Sequence, residues 1–377
     1  MGGQVNPAYK DTYAFANDFP ALLSEPLPAL PDSAPAPSTS PSGVDDLFAS
    51  EPVRGRCSVL CFHPRHDLTL ARMEHAEIVS VIEKWRETYL SEGKFLRETG
   101  AQEGYVQIFE NRGSMMGASA PHPHGQVWTL SYVPDEPATE LDNLAAYAAR
   151  ATAKPTAPCR GDGAPCLLCS YASEEVAKGE RVVALDEDGG WVALVPFWAV
   201  WPYEVMVLPY KRHIPSLAQM TPEEDAGLAR VTKQLLVRYD NLFSCPFPYS
   251  MGLHQAPMPP TTDEVDSSAA HIHLHFYPPL LRSATVRKFL VGFEMLGEVQ
   301  RDLTAEQAAT RLRAVSDVHY LDSAPAPKKE ANGHAEAGLV NGVANGLASA
   351  VANALNRVAK TFNDTEAGTG TPPNGST

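Results

Sequence analysis

In PHPHGQVWTLSY, residues 121–132, polar and apolar side chains alternate, the period-2 pattern of a half-buried strand. On an extended chain His122, His124 and Gln126 therefore project to one face, so two imidazoles and an amide are aimed at one place. A second run, HIHLHFYP at 271–278, has the same alternation. It is expected to put His271, His273 and His275 on one face and Ile272, Leu274 and Phe276 on the other. Working outward, each run is preceded by the same order of elements. In the first, the apolar strand SVLCFHP (58–64) leads to His66, a helix with Ile78, Ile82, Trp85 and Tyr89 on one face, the strand YVQIFEN (105–111), and a turn with Gly113 and Gly117. In the second, the strand EVMVLP (204–209) leads to His213, then to a helix opened by a Thr221, Pro222, Glu224 capping box with Leu228, Val231 and Leu235 on its face, and then to YSMG (249–252), read as a turn. His66 and His213 are 147 positions apart and His124 and His275 are 151 apart. Two landmarks with nearly one offset point to an internal duplication. The fold class expected is α+β: a duplicated unit of antiparallel sheets with packed helices rather than a doubly wound parallel sheet.

The rest of the chain bounds what this body can be. It has 377 residues, 44% hydrophobic and 20% charged, enough for a substantial core. A formal charge of −15 argues against a general nucleic-acid or membrane-surface binder, so an anionic ligand needs a local basic patch. No apolar run approaches the ~18–20 residues of a bilayer span and no signal segment opens the chain, so a soluble, cytoplasmic protein is expected. Its six scattered cysteines do not make a disulfide scaffold. Eight of 33 prolines fall between Pro20 and Pro52. Residues 25–55 thus read as a disordered Pro/Ser-rich insertion, after a short segment 1–24. Residues 56–150 form the first repeat, 151–180 a connecting segment with a CxxC, 181–322 the second repeat, and 323–377 a low-complexity tail. In the tail Val340, Val343, Leu347, Val351, Leu355 and Val358 recur at helical spacing.

A neutral imidazole nitrogen is a competent nucleophile toward phosphorus when its other nitrogen is held as a donor. The turn NRGSMMGAS (111–119), just upstream of His124, can offer backbone N–H groups and Ser119 to phosphate oxygens. Glu140, His254, His273 and His275 supply the donors of a three-histidine-plus-carboxylate metal cage. Arg282, Arg287 and Lys288 are the candidate phosphate patch in an acidic chain. Cys166 and Cys169 form a CxxC with no second CxxC and no thioredoxin-like context, and read as core thiols. His63 and His213 read as structural.

With these residues on the page, the chain resembles the galactose-1-phosphate uridylyltransferases of the histidine-triad superfamily. NPAYKDTYAFANDFPAL, FENRGSMMGASAPHPHGQVW, VPFWAVWPYEVMVLP, RYDNLF, FPYSMG, HFYPPLLRSATVRKF and EMLGEVQRDLTAEQAATRLR carry the likeness, over roughly 6–320 outside the insertion. The resemblance implies a duplicated histidine-triad-like unit with antiparallel half-barrel sheets, a homodimer and a double displacement in the Leloir pathway. UDP-glucose gives its uridylyl group to a histidine, and galactose 1-phosphate then takes it. It implies that His124 is the nucleophile and Gln126 contacts the transferred phosphoryl group. Asn111, Gly117 and Ser119 would line the phosphates, and Asn17 and Asp18 would hold the uridine. Lys288, Phe289, Phe293, Glu294 and Gln300 would lie along the hexose phosphate across the dimer. Glu140, His254, His273 and His275 match an iron or zinc site, and His66 and His122 match half of a second zinc site. That site draws two cysteines from a CxxC ahead of the NPxY segment. None precedes Asn6 here, which makes Cys166 and Cys169 the candidate replacement. Phe293 stands where a tyrosine is usual, removing one hydroxyl near the hexose. The alternatives are a truncated, inactive isoform that binds or dimerises, and a related nucleotidyl hydrolase or phosphorylase; Gln126, in place of the last histidine of hydrolytic members, disfavours the latter.

Overall fold

Thr221 accepts the backbone N–H of Glu224 at 3.3 Å, and the Glu224 side chain returns to the Thr221 N–H at 2.8 Å, closing the capping box that the sequence announces. The computed structural model describes residues 6–25, 53–101, 103–118, 120–150, 152, 156–258 and 269–323. Ser119, the tail with its Val/Leu repeat, and nearly all of the Pro/Ser-rich segment lie outside these residues.

The chain order is β1 (Tyr13–Ala16), β2 (Gly55–Cys61), α1 (His75–Glu98), β3 (Tyr105–Arg112), β4 (His124–Leu130), α2 (Asp135–Arg150), α3 (Leu167–Lys178), β5 (Val182–Asp186), β6 (Trp191–Leu194), β7 (Val205–Pro209), α4 (Pro222–Phe243), β8 (Tyr249–His254), β9 (His273–Tyr277), β10 (Leu280–Ser283), β11 (Val286–Arg287), α5 (Phe293–Leu296) and α6 (Ala305–Arg313). Nine strands form one antiparallel sheet in the order β1-β2-β4-β3-β8-β9-β7-β6-β5. Read outward from the β3–β8 pair, β4 answers β9, β2 answers β7 and β1 answers β6. The expected duplication is therefore present, with the two halves joined edge to edge in a single sheet.

Two readings change. YSMG is the start of strand β8, not a turn: Tyr249 and Met251 are buried, and the segment pairs with β3 and β9 on its two sides. Tertiary pairing overrides the turn preference of Ser250 and Gly252. The repeat register is also two residues off. Strand β4 opens at His124 and β9 at His273, so the partner of His124 is His273, not His275, at an offset of 149 positions.

Alternation along the strands sorts the side chains onto two faces. Leu60, Val106, Ile108, Val127, Met251, Leu253, Leu274 and Phe276 pack with α1 and α4 in the main core, where Ile78, Ile82, Trp85, Leu228 and Leu235 supply the helix side. On β6 and β7 the odd-numbered residues Trp191, Ala193, Val205 and Val207 join this core. Val192, Leu194, Met206 and Leu208 join a smaller one with Leu144 of α2 and Leu168, Cys169 and Ala172 of α3. The face opposite α1 and α4 thus carries Asn111, His124, Gln126, His254, His273 and His275. Among the described residues no helix is long and apolar enough to cross a membrane.

Candidate functional site

His124 opens β4, which is paired on one side with β2 (Cys61 opposite His124, Val59 opposite Gln126) and on the other with β3. Its Nδ1 lies 2.8 Å from the carbonyl oxygen of His122. A carbonyl only accepts, so Nδ1 carries the hydrogen and Nε2 carries the lone pair. His122, His124 and Gln126 all line one cleft of about 610 Å³ together with Tyr9, Asn17, Cys61 and His66, as the alternation requires. Gln126 Oε1 accepts from Trp128 Nε1 at 3.3 Å, which turns the amide nitrogen away from that bond and leaves it as the donor of the side chain.

Behind His124 a second cleft of about 470 Å³ is lined by Asn111, Gly113, Ser114, Ala118, His122 and His124 among others. Gly113 (φ 86°) and Gly117 (φ 81°) both occupy the left-handed region, where a side chain would strain the turn. Asn111 is oriented by Ser250, whose Oγ donates to its Oδ1 at 2.7 Å. Asn17 lines the first cleft, whereas Asp18 is exposed beside it and Gly117 sits on the open side of its turn.

The carboxylate–histidine cage assembles as expected. Glu140 of α2 meets the end of β8 and the start of β9: its Oε2 is 2.9 Å from His254 Nδ1, 3.3 Å from His273 Nε2 and 4.0 Å from His275 Nε2. Burial alone would raise the Glu140 pKa, but the imidazoles of His273 and His254 reverse this and hold it well below the usual carboxylate range. Burial, then His273 and His254, push His275 well down. One carboxylate and three imidazoles with ligand atoms within 4.8 Å of one another fit a zinc or iron ion.

His271 departs from its expected face. It precedes β9, and with His213 it surrounds the CxxC: Cys169 Sγ is 3.8 Å from His213 Nδ1 and 3.8 Å from His271 Nδ1. Cys166 and Cys169 are therefore not isolated core thiols, nor do they complete the pair His66 and His122. That pair meets Nδ1 to Nδ1 at 2.8 Å, and the other ring nitrogen of His122 meets the Tyr9 hydroxyl at 2.9 Å. Burial first, then His66 and His124, lower the His122 pKa. Tyr9 was not legible in advance, since one tyrosine in an extended segment has no periodic signal. His213 and His271 were legible, because they stand 147 and 149 positions after His66 and His122. His63 is structural, with Nε2 3.0 Å from Glu77 and Nδ1 accepting the Arg65 N–H.

The expected basic patch does not form. Lys288 is buried, and its Nζ is engaged by Asp302 at 2.8 Å, the Gln300 carbonyl at 2.8 Å and Glu294 at 3.7 Å. Arg282 and Arg287 stay exposed. Among the described residues no Lys or Arg lines the first cleft of His124, and the second is lined by Arg112, whose guanidinium is engaged by Asp240. Glu294 and Gln300 thus organise the chain around Lys288, while Phe289 and Phe293 point to solvent.

A duplicated antiparallel sheet, one histidine locked in a single tautomer at a cleft and a metal-binding donor set in the second half define a protein of the histidine-triad-like class. The models of the galactose-1-phosphate uridyl transferase family match it twice, the N-terminal domain over residues 1–134 and the C-terminal domain over 140–324. The chain belongs to the galactose-1-phosphate uridylyltransferase family. The uridylyltransferase of Cryptococcus neoformans is 59% identical over 311 residues, covering 82% of this chain and 76% of that one. That of Kluyveromyces lactis is 47% identical over 321 residues, covering 85% and 81%. A solved uridylyltransferase structure superposes with a TM-score of 0.66 at 27% identity, covering 83% of this chain and 87% of its own.

Proposed function

We propose that the protein moves a uridylyl group between UDP-glucose and galactose 1-phosphate through His124. The observation that carries this reading is the bond from His124 Nδ1 to the His122 carbonyl, which leaves Nε2 as the lone pair facing the cleft. That lone pair attacks the α-phosphorus of UDP-glucose. The N–P bond forms, the bond from the α-phosphorus to the bridging oxygen breaks, and glucose 1-phosphate leaves with that oxygen. The positive charge that develops on the ring is held by the His122 carbonyl. A phosphate oxygen of galactose 1-phosphate then attacks the same phosphorus, the N–P bond breaks and UDP-galactose leaves.

Gln126 donates its amide to a phosphoryl oxygen as charge builds there. Asn111, Gly117 and Ser119 supply further phosphate contacts, and Asn17 and Asp18 hold the uridine. Glu140, His254, His273 and His275 would hold zinc or iron, which when bound cross-links α2 to β8 and β9. His66 and His122, with Tyr9, are assigned half of a second zinc site. The protein is further proposed to act as a cytoplasmic homodimer, with Lys288, Phe289, Phe293, Glu294 and Gln300 reaching the partner's hexose phosphate. The support is a run of exposed apolar side chains, Phe289, Val291, Phe293, Met295 and Leu296, carried on a segment that Lys288 ties down. Leu296→Asp is expected to convert the dimer to a monomer by analytical ultracentrifugation; an unchanged mass would refute this face.

Intact-mass measurement after incubation with UDP-glucose, kept at neutral or alkaline pH because a phosphoramidate is acid-labile, tests the central claim. A uridylyl adduct is expected in the native protein, none in His124→Asn, and galactose 1-phosphate is expected to discharge it. An adduct retained in His124→Asn would overturn the assignment, and discharge by water alone would indicate a hydrolase.

A further inference from the structure

Cys166, Cys169, His213 and His271 are all buried, and one ligand atom from each lies within 4.8 Å of all the others. They come from three places in the chain: the N-terminus of α3, the loop after β7 and the entry to β9. Tetrahedral zinc with Zn–S near 2.3 Å and Zn–N near 2.0–2.1 Å sets its ligand atoms roughly 3.4–3.8 Å apart. The Cys169 Sγ distances of 3.8 Å to His213 Nδ1 and His271 Nδ1 are already at that spacing.

The surroundings are those of ligands held in place. Cys166 caps α3, its Sγ accepting the Cys169 N–H at 3.4 Å, so a thiolate there faces the positive end of a helix. His271 Nε2 lies 3.0 Å from the Pro209 carbonyl, which makes Nε2 the donor and Nδ1 the nitrogen with the lone pair, the tautomer-fixing contact of metal-bound histidines. Besides Cys169 Sγ, Nδ1 meets the Ile214 N–H at 3.3 Å, a long contact that a metal bond would replace. The rings of His213 and His271 are stacked at 5.1 Å.

We infer that these four residues form a Cys2His2 zinc site, distinct from the Glu140 site and independent of the uridylyl-transfer reading. The duplication explains its place: His213 and His271 are the second-half counterparts of His66 and His122. In the second half the histidines have a cysteine pair, and in the first half, among the described residues, they have none. The site also reaches the Glu140 cage, because the His271 carbonyl takes His273 Nδ1 at 2.7 Å. A zinc ion on His271 thereby fixes the backbone that orients His273. It closes α3 and residues 156–166 onto the sheet beside the smaller core.

Cobalt substitution of the full chain gives the test. Among the described residues, of the two metal-competent clusters this one offers two thiolates and the Glu140 cage has no sulfur. The protein reconstituted with cobalt should show near-ultraviolet thiolate-to-cobalt charge transfer together with intense visible bands of tetrahedral cobalt. Those bands, and one bound equivalent of zinc per chain, should be lost in Cys166→Ser/Cys169→Ser and kept in Glu140→Gln. Should the double variant fail to fold, the native protein still decides. With zinc bound, two fewer cysteines should react with a thiol reagent than after chelation. Absent thiolate bands in the cobalt-loaded protein, an unchanged zinc content in the double variant, or a Cys166–Cys169 disulfide in freshly prepared protein would each overturn the proposal.

Discussion

His124 Nδ1 and the His122 carbonyl oxygen are 2.8 Å apart, and the second half repeats this bond between His273 Nδ1 and the His271 carbonyl at 2.7 Å. In both halves the first histidine of an HxH pair uses its backbone to fix the tautomer of the second, leaving Nε2 as the reactive nitrogen. What differs is what that nitrogen faces. In the first half its residue lines a cleft with no Lys or Arg in the described lining. In the second it faces Glu140 at 3.3 Å and His275 at 3.0 Å. One local device thus recurs in both repeats, where the proposed function gives it to a nucleophile in the first and a metal ligand in the second.

Because the first cleft has no Lys or Arg in its described lining and Arg112 of the second is neutralised by Asp240, Gln126 is expected to carry much of the charge stabilisation in the proposed reaction. Gln126→Ala should lower kcat by about 10²–10³-fold, the effect of removing one oxyanion donor, with a smaller change in KM. Trp128→Phe removes the bond that orients Gln126. It should lower kcat by roughly 2–10-fold, matching one hydrogen bond of about 0.5–1.5 kcal/mol. Steady-state kinetics in both directions check this. A Gln126→Ala enzyme with native kcat would show that the amide does not touch the transferred group.

Glu140→Gln keeps the shape of the cage and removes its charge. Metal affinity at this cage should fall by more than the 10–100-fold typical of losing an outer partner, and the melting temperature should drop towards that of the chelated native protein, which loses the Cys166–Cys169 site as well. Metal analysis alongside differential scanning calorimetry reads both. Equal metal content in the variant would remove Glu140 from the ligand set.

Where the sequence spoke through period or repetition, it was legible. Alternation placed His124 and Gln126 on one face, the capping box fixed the start of α4, and the offsets revealed the duplication. It was silent where the outcome depends on which distant groups meet. Lys288 looked like a phosphate ligand until Asp302 and Glu294 enclosed it, and no spacing rule pairs residues 14 and 6 positions away across a loop. YSMG read as a turn because Ser and Gly dominate such segments, yet β8 sits between two strands whose pairing outweighs that preference. His271 shared the alternation of β9 but lies just before the strand, so the period no longer governed it.

Arg112 ends β3 at the edge of the second cleft, and its guanidinium is bidentate on Asp240 at 2.8 Å and 2.8 Å. Asp240 also accepts the Phe247 N–H at 2.8 Å and faces His319 at 3.1 Å. Removing one partner of such a buried pair leaves the other charge uncompensated, so Arg112→Met should cost about 3–5 kcal/mol. Arg112→Met/Asp240→Asn should recover part of that loss, and denaturant titration of the two variants measures it. If Arg112→Met cost less than about 1 kcal/mol, the pair would not be holding the end of β3 to α4.

Next to this pair, Glu110 is buried between Tyr249, whose hydroxyl donates to it at 2.8 Å, and Arg112. Burial pushes its pKa up to about 7, against the opposing effects of Tyr249 and Arg112. The folded-state value lies above the unfolded one, so the folded protein prefers the protonated acid. The stability this group contributes is complete below about pH 4.5 and is lost as pH rises through about 7. Glu110→Gln fixes the neutral form. It should match the native protein near pH 5 and exceed it at pH 8 by an amount on the order of 1–3 kcal/mol, at about 1.4 kcal/mol per pH unit. Melting curves of the two proteins from pH 5 to pH 8 should therefore diverge with rising pH, the variant staying higher. Parallel curves would mean that Glu110 is already ionised at pH 5, with Arg112 and not the proton satisfying it.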